Sequence, residues 1–274
     1  MRQTAEPGPA PGQILAIANQ KGGVGKTTTA INLGTALAHH GQKVLVVDLD
    51  PQGNASTGLG AAADTREGST YDLLAGTAGL ADIVVETPVD GLALAPATVD
   101  LSGSDVEMVD DPDRASRLFR ALRGTGGAAP VAGYDTVLID CPPSLNLLTV
   151  NAMTAADAIL VPLQCEFFAL EGLSQLLGTV KRVKNRLNPG LHLRGIVLTM
   201  FDRRNRLSAQ VEQDVRTNLG DIVFETVIPR NVRLSEAPSH AVPVLLYDRD
   251  CAGSRAYLSL AEEMLGGPSA TLAA

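Results

Sequence analysis

Short apolar runs and longer amphipathic stretches take turns along this chain of 274 residues. The runs ILAIAN (14–19), KVLVVDL (43–49), LALAPA (92–97), YDTVLID (134–140), AILVPLQ (158–164), GIVLTM (195–200), FETVIP (224–229) and PVLLYD (243–248) predict strands. Several are apolar without alternation, as strands buried on both faces are. Between them the spacing predicts helices over 27–40, 113–123, 146–156, 169–187, 205–218 and 253–265, the first closed by Gly41. Strand, helix, strand in repetition predicts a doubly wound α/β fold: a mainly parallel sheet with helices on both faces. The stretches 60–69 and 124–133 read as surface loops. Residues 1–12 read as a Pro- and Gly-rich leader, 13–267 as one domain and 268–274 as a loose tail.

Composition narrows this picture. A chain that is 45% hydrophobic, 3% aromatic and without Trp has enough apolar surface for one large core. The leader holds no apolar run, which excludes a signal peptide, and no window is long enough to span a bilayer. Cys141, Cys165 and Cys251 lie far apart with no CxxC pair, so neither a disulfide framework nor a thiolate metal site is suggested and a reducing, cytoplasmic setting fits. The net charge of -8 argues against a protein that coats nucleic acid with its whole surface. The charge is uneven, however: residues 181–255 carry 13 Lys and Arg against 8 Asp and Glu, whereas 1–180 carry 9 against 20.

The chemistry concentrates in NQKGGVGKTTT (19–29), placed between the first strand and the first helix. There, backbone N–H groups and a helix N-terminus converge on phosphate oxygens. Gly22, Gly23 and Gly25 let the backbone pass close to the phosphates, Lys26 reaches the β and γ oxygens, and the Thr27 hydroxyl can coordinate Mg²⁺. Asp48 and Asp50 leave the second strand, and Asp140 ends the strand at 134–140. Ligands of open α/β sheets sit beyond such carboxyl ends. Any one of these aspartates could merely cap a helix; three of them after a phosphate loop point to one site.

KGGVGKTT resembles the deviant Walker A motif of the ParA and MinD group of P-loop ATPases, which implies ATP and Mg²⁺ as cofactors. The resemblance assigns the nucleotide to Gly22, Gly23, Val24, Gly25, Lys26, Thr27 and Thr28. It makes Lys21 the lysine that crosses to the partner subunit's phosphates in an ATP-bound homodimer. VVDLDPQGN (46–54) is similar to switch I, so Asp50 is expected to orient the attacking water and Asp48 to assist the Mg²⁺ shell. TVLIDCPPS (136–144) is similar to Walker B, with Asp140 holding Mg²⁺ through water.

VIPRNVRLSEAPSH (227–240) and LTMFDRR (198–204) resemble chromosomal ParA proteins of the Soj type, and the likeness runs from about residue 13 to 265. It implies nucleotide contacts at Met200, base contacts at Pro229 and Asn231, and DNA contacts at Arg204 and Arg233. Partners so implied are non-specific double-stranded DNA and a ParB-type centromere-binding protein, on a nucleoid-associated cytoplasmic protein. The basic run KRVKNR (181–186) reads equally as DNA contact or as solvated helix face. Rival readings fit less well. A membrane ATPase wants a basic amphipathic C-terminus where this chain reads AEEMLGGPSATLAA, and an iron–sulfur carrier wants cysteines that Cys141 lacks nearby. The dozen residues before the first strand leave no room for a helix-turn-helix module, so no operator-specific binding is expected.

Overall fold

The structure is a computed structural model that describes residues 12–124, 129–166 and 169–266. The expected tail, and the leader apart from Gly12, lie outside the described residues, as does part of the loop at 124–133. The strands are β1 (Gln13–Ile17), β2 (Val44–Asp48), β3 (Val85–Glu86), β4 (Leu92–Ala95), β5 (Thr136–Asp140), β6 (Ala158–Gln164), β7 (His192–Phe201) and β8 (Val223–Pro229). They form one sheet in the order β3-β4-β2-β5-β1-β6-β7-β8. Every pairing is parallel except β3 with β4. The helices are α1 (Lys26–His39), α2 (Asn54–Gly58), α3 (Thr70–Ala75), α4 (Leu80–Ile83), α5 (Ser104–Glu107), α6 (Arg117–Arg123), α7 (Leu147–Ala155), α8 (Ala169–Arg186), α9 (Arg206–Leu219), α10 (Val232–Glu236), α11 (Val244–Tyr247) and α12 (Ala252–Gly266).

Unbroken apolarity in the strands has a direct cause. Successive side chains point to opposite faces, and both faces are covered. Thus Ile14 and Ala16 of β1, with Val137 and Ile139 of β5, pack against α6, α7, α8 and α9. Leu15, Ile17 and Leu138 face the opposite layer, built on α1 and α12. Helix α1 must lie close to the sheet, and Gly34 permits it. A Cβ there would stand 3.3 Å from both Leu92 and Val46 side-chain carbons.

Chain direction sets where a ligand can bind. From β1 the chain passes through α1 to β2 on one side, while from β5 it passes through α7 to β6 on the other. The sheet therefore switches winding direction around β1, and the crevice beyond its carboxyl end is the expected ligand position.

Two sequence expectations need correction. The run 243–248 is not a strand: Pro243 leads into the single turn α11, and the Val244 N–H donates to Asn32 Oδ1 on α1 at 2.8 Å. Four apolar residues do not distinguish the two structures by pattern alone, and the companion that decides the matter lies 212 residues away. The helix expected over 113–123 is a 3₁₀ turn at Arg114–Ser116 followed by α6. The two-residue β3, too short to leave a pattern, was not expected.

Helix-to-sheet contact at Gly34 yields a prediction. Gly34→Leu should lower stability by about 1–3 kcal/mol through overpacking, while Gly34→Ala should cost less because the gain in helix propensity offsets part of the crowding. Thermal unfolding of both variants is the measurement, and a Gly34→Leu melting temperature equal to that of the wild type would refute the close approach.

Candidate active site

The loop between β1 and α1 closes on itself before any ligand is considered. Gly23 and Gly25 adopt left-handed backbone (φ 74° and 90°), which a side chain would strain. Lys26 is buried, and its Nζ donates to the Lys21 carbonyl at 3.0 Å, drawing the loop into a ring. Burial holds the Lys26 pKa below its usual value, against the opposing pull of Asp140 and Asp50. Gly22 and Gly23 are exposed at the rim, Val24 is buried beneath, and Thr27 and Thr28 open the first turn of α1.

Beneath this cradle the strand ends deliver three carboxylates. Asp48 and Asp140 are register partners on β2 and β5, both fully buried. Asp48 Oδ2 accepts from Ser56 N and Oγ at 2.9 and 2.7 Å, and its Oδ1 accepts from Asp50 N at 3.1 Å. Burial nevertheless raises its pKa to about 6. Asp140 differs: burial first and Asp48 second raise its pKa well above the carboxylate range, and neither oxygen receives a well-formed hydrogen bond. Thr27, whose hydroxyl lies alongside, relieves it only in part. Asp50 is 8% exposed and accepts from Gln52 N at 3.0 Å, which sets a tight turn above the pair.

An unsatisfied buried carboxylate beside a threonine hydroxyl suits a hard divalent cation that keeps its waters. Asp140 and Thr27 therefore fit Mg²⁺. Asp48, expected in the same shell, has its oxygens engaged by α2 and by the Asp50 turn, so the geometry gives it a bracing role instead.

Beside the cradle lies a cavity of about 350 Å³ lined by Gly25, Thr28, Met200, Pro229, Asn231 and Tyr257, among others. It brings together the three residues singled out for nucleotide or base contact. Met200 sits at φ 51°, an uncommon conformation for a side-chain-bearing residue. Asn231 caps α10 by accepting from Arg233 N.

On the far side of Pro229 and Arg230 runs a larger open groove of about 1110 Å³, whose walls carry Arg203, Arg204, Arg216 and Arg255. Arg204 is 89% exposed and pairs with Asp202, whose pKa it pulls down to about 2. Arg233 pairs with Glu236 and Asp248 and lies over the Tyr247 ring. Lys21 is exposed and paired with Glu166 of its own chain. Among the described residues no helix is long and apolar enough to cross a membrane.

Comparison with known proteins agrees with this geometry. A family model described as an AAA domain matches residues 12–193. The chain is 60% identical to the chromosome partitioning protein ParA of Caulobacter vibrioides over 255 residues, 93% of this chain and 94% of that one. With the sporulation initiation inhibitor protein Soj of Bacillus subtilis it shares 52% identity over 253 residues, 92% of this chain and 98% of that one. The chain belongs to the ParA/Soj family of chromosome-partitioning ATPases. Its fold is also similar to that of a cobyrinic acid a,c-diamide synthase from Mycobacterium smegmatis with bound ADP and magnesium, at 36% identity and TM-score 0.80, covering 96% of this chain and 99% of that one.

In this ParA/Soj chain several supporting groups escaped the sequence reading. Thr199 donates to the Val24 carbonyl at 2.8 Å and fixes the floor of the cradle. Asn19 ties β1 to Pro162 and accepts from Lys21 N. Tyr257, fully buried, joins α12 to Thr29 through its hydroxyl. Each acts across a long sequence separation, and only the first left a trace, as the threonine inside LTM.

The orphaned carboxylate is directly testable. Asp140→Asn removes a buried charge without a partner, so the ligand-free variant should melt a few degrees above wild type. The wild type should gain stability on adding Mg²⁺ with nucleotide, and the variant should lose that increment. Thermal unfolding with and without the pair measures both; a destabilised ligand-free Asp140→Asn would show that Asp140 is satisfied after all.

Proposed function

We propose that this chain hydrolyses ATP to ADP and phosphate slowly and uses the cycle to time its hold on DNA. The observation that carries the reading is Asp140, a buried carboxylate without a hydrogen-bond donor, set under a glycine cradle beside Thr27 and Lys26. Gly22, Gly23, Val24, Gly25 and Thr28 surround the phosphates with the N-terminus of α1, and Lys26 neutralises their β and γ oxygens. The base occupies the cavity at Met200, Pro229 and Asn231. Thr27 and Asp140 hold Mg²⁺, which when bound adds charge neutralisation at the phosphate oxygens. Asp50 orients the attacking water, so the protein supplies position and charge rather than covalent chemistry.

Lys21 then acts in trans on the partner subunit's nucleotide in an ATP-bound homodimer. To do so it must leave Glu166, a half-exposed ion pair worth about 1 kcal/mol or less, so the transfer is energetically easy. The dimer binds double-stranded DNA without sequence preference through Arg204 and Arg233, on the nucleoid in the cytoplasm. A ParB-type partner stimulates hydrolysis and release.

Two predictions separate the parts of this reading. Lys26→Ala should abolish binding of a fluorescent ATP analogue, whereas Asp50→Ala should bind it normally and release phosphate about a hundredfold more slowly. Equal loss of affinity in both variants contradicts the assigned roles. DNA binding should require ATP rather than ADP and be alike for unrelated duplexes. Removing one phosphate-binding guanidinium, as in Arg204→Ala, should lower the salt slope of log affinity by about 0.9. If the ATP state binds no duplex at any salt, a nucleotide-dependent carrier without a DNA role replaces the partition reading.

A further inference from the structure

Arg66 lies in the stretch 60–69, whose sequence reads as a surface loop, yet its side chain turns inward. Nη1 donates to the Ala97 carbonyl at 2.7 Å. Nη2 donates to Gly53 O, Thr57 Oγ1 and Ala61 O at 3.2, 2.9 and 2.9 Å, and Nε reaches the same Ala61 carbonyl at 3.2 Å. All of these acceptors are neutral oxygens, so the guanidinium works here as a fork of donors rather than as one half of an ion pair.

What the fork grips is the turn that carries Asp50. Gly53 N donates to Asp50 O at 2.8 Å, and Gln52 N donates to Asp50 Oδ1 at 3.0 Å. Gly53 itself is left-handed (φ 62°, ψ 29°), and a Cβ on it would collide with Arg66 Nη1. The bare glycine and the arginine thus complement each other. Thr57 and Gly53 belong to α2 and its N-cap, while Ala97 follows β4, so Arg66 joins the switch turn to the rigid sheet.

From this geometry we infer that Arg66 is a positioning residue for hydrolysis, a clamp that holds the Asp50–Gly53 turn in one conformation. The inference rests on the proposed role of Asp50 in orienting water. Lysine cannot replace arginine here, because a single ammonium does not span acceptors on Gly53, Thr57, Ala61 and Ala97.

Amide hydrogen exchange and ATP turnover of the full chain test the clamp together, with Arg66→Met, Arg66→Lys and Gly53→Ala as variants and thermal unfolding as the check on folding. Without nucleotide, amides from 52 to 61 should exchange about tenfold to a hundredfold faster in each variant, the range expected for losing hydrogen bonds from a charged donor, while those of α12 stay unchanged. Phosphate release should fall about tenfold with ATP-analogue affinity held within about twofold, since positioning affects the chemical step and not binding. Unchanged exchange over 52–61 overturns the clamp. Faster exchange with wild-type turnover overturns its role in hydrolysis. A wild type that turns over no ATP refutes the proposed function instead, and the exchange data still decide whether the clamp exists.

Discussion

Two carboxylates ending adjacent parallel strands, both sealed from water, are the constraint around which this molecule is arranged. Asp48 and Asp140 face each other in register, and burial and mutual repulsion push both pKa values upward. The fold resolves the conflict asymmetrically. Asp48 is quenched by three donors from the segment that follows it, two of them from Ser56, so that it anchors α2 and the turn at Asp50. Asp140 receives none and remains a reservoir of negative charge. A cation-dependent site needs such a reservoir, since a carboxylate already satisfied by N–H donors has little left for a metal or its waters. The burial of Lys26 follows: its ammonium is drawn under the loop although desolvation disfavours its charge.

Much of this was legible in the chain itself, and the reason is local. Strands buried on both faces leave unbroken apolar runs, and a phosphate loop must lie between a strand and a helix, so β1, β2, β5, β6, β7 and β8 and the cradle could be placed from short windows. What escaped depends on distant partners. Nothing in VVDLDPQGN distinguishes an aspartate destined to brace from one destined to hold a cation, because the distinction is made by Ser56 folding back eight residues later. Arg66 looks like a solvated loop residue until Ala97 is brought beside it, and 243–248 looks like a strand until Asn32 takes the first N–H. Thr199 and Val24 meet across 175 residues. Periodicity reports which face is buried, not which polar atom will be waiting there.

The wall between the cavity and the groove gives the fold a way to relate its two ends. Thr199 and Met200 face the cavity, and after the left-handed kink at Met200 the next residues, Phe201 to Arg204, line the groove. Pro229 and Arg230 belong to both, and the Arg230 N–H donates to Phe201 O at 3.0 Å, pinning the two strand ends together. A ligand that shifts Met200 or Pro229 must therefore move groove residues, because the wall is one layer thick.

The arginines on that side are largely balanced within the chain: Arg204 by Asp202, Arg216 by Glu212, Arg233 by Glu236 and Asp248. A polyanion meeting a single copy must compete with those carboxylates for each guanidinium and gains little net field. Two copies related by a two-fold axis change the arithmetic without altering either surface. The second set of arginines then meets the same duplex at high effective concentration, so weak, pre-neutralised contacts become sufficient only when paired. Internal ion pairing thus makes the surface responsive to assembly: stronger, unpaired arginines would hold DNA in every state and leave nucleotide nothing to control.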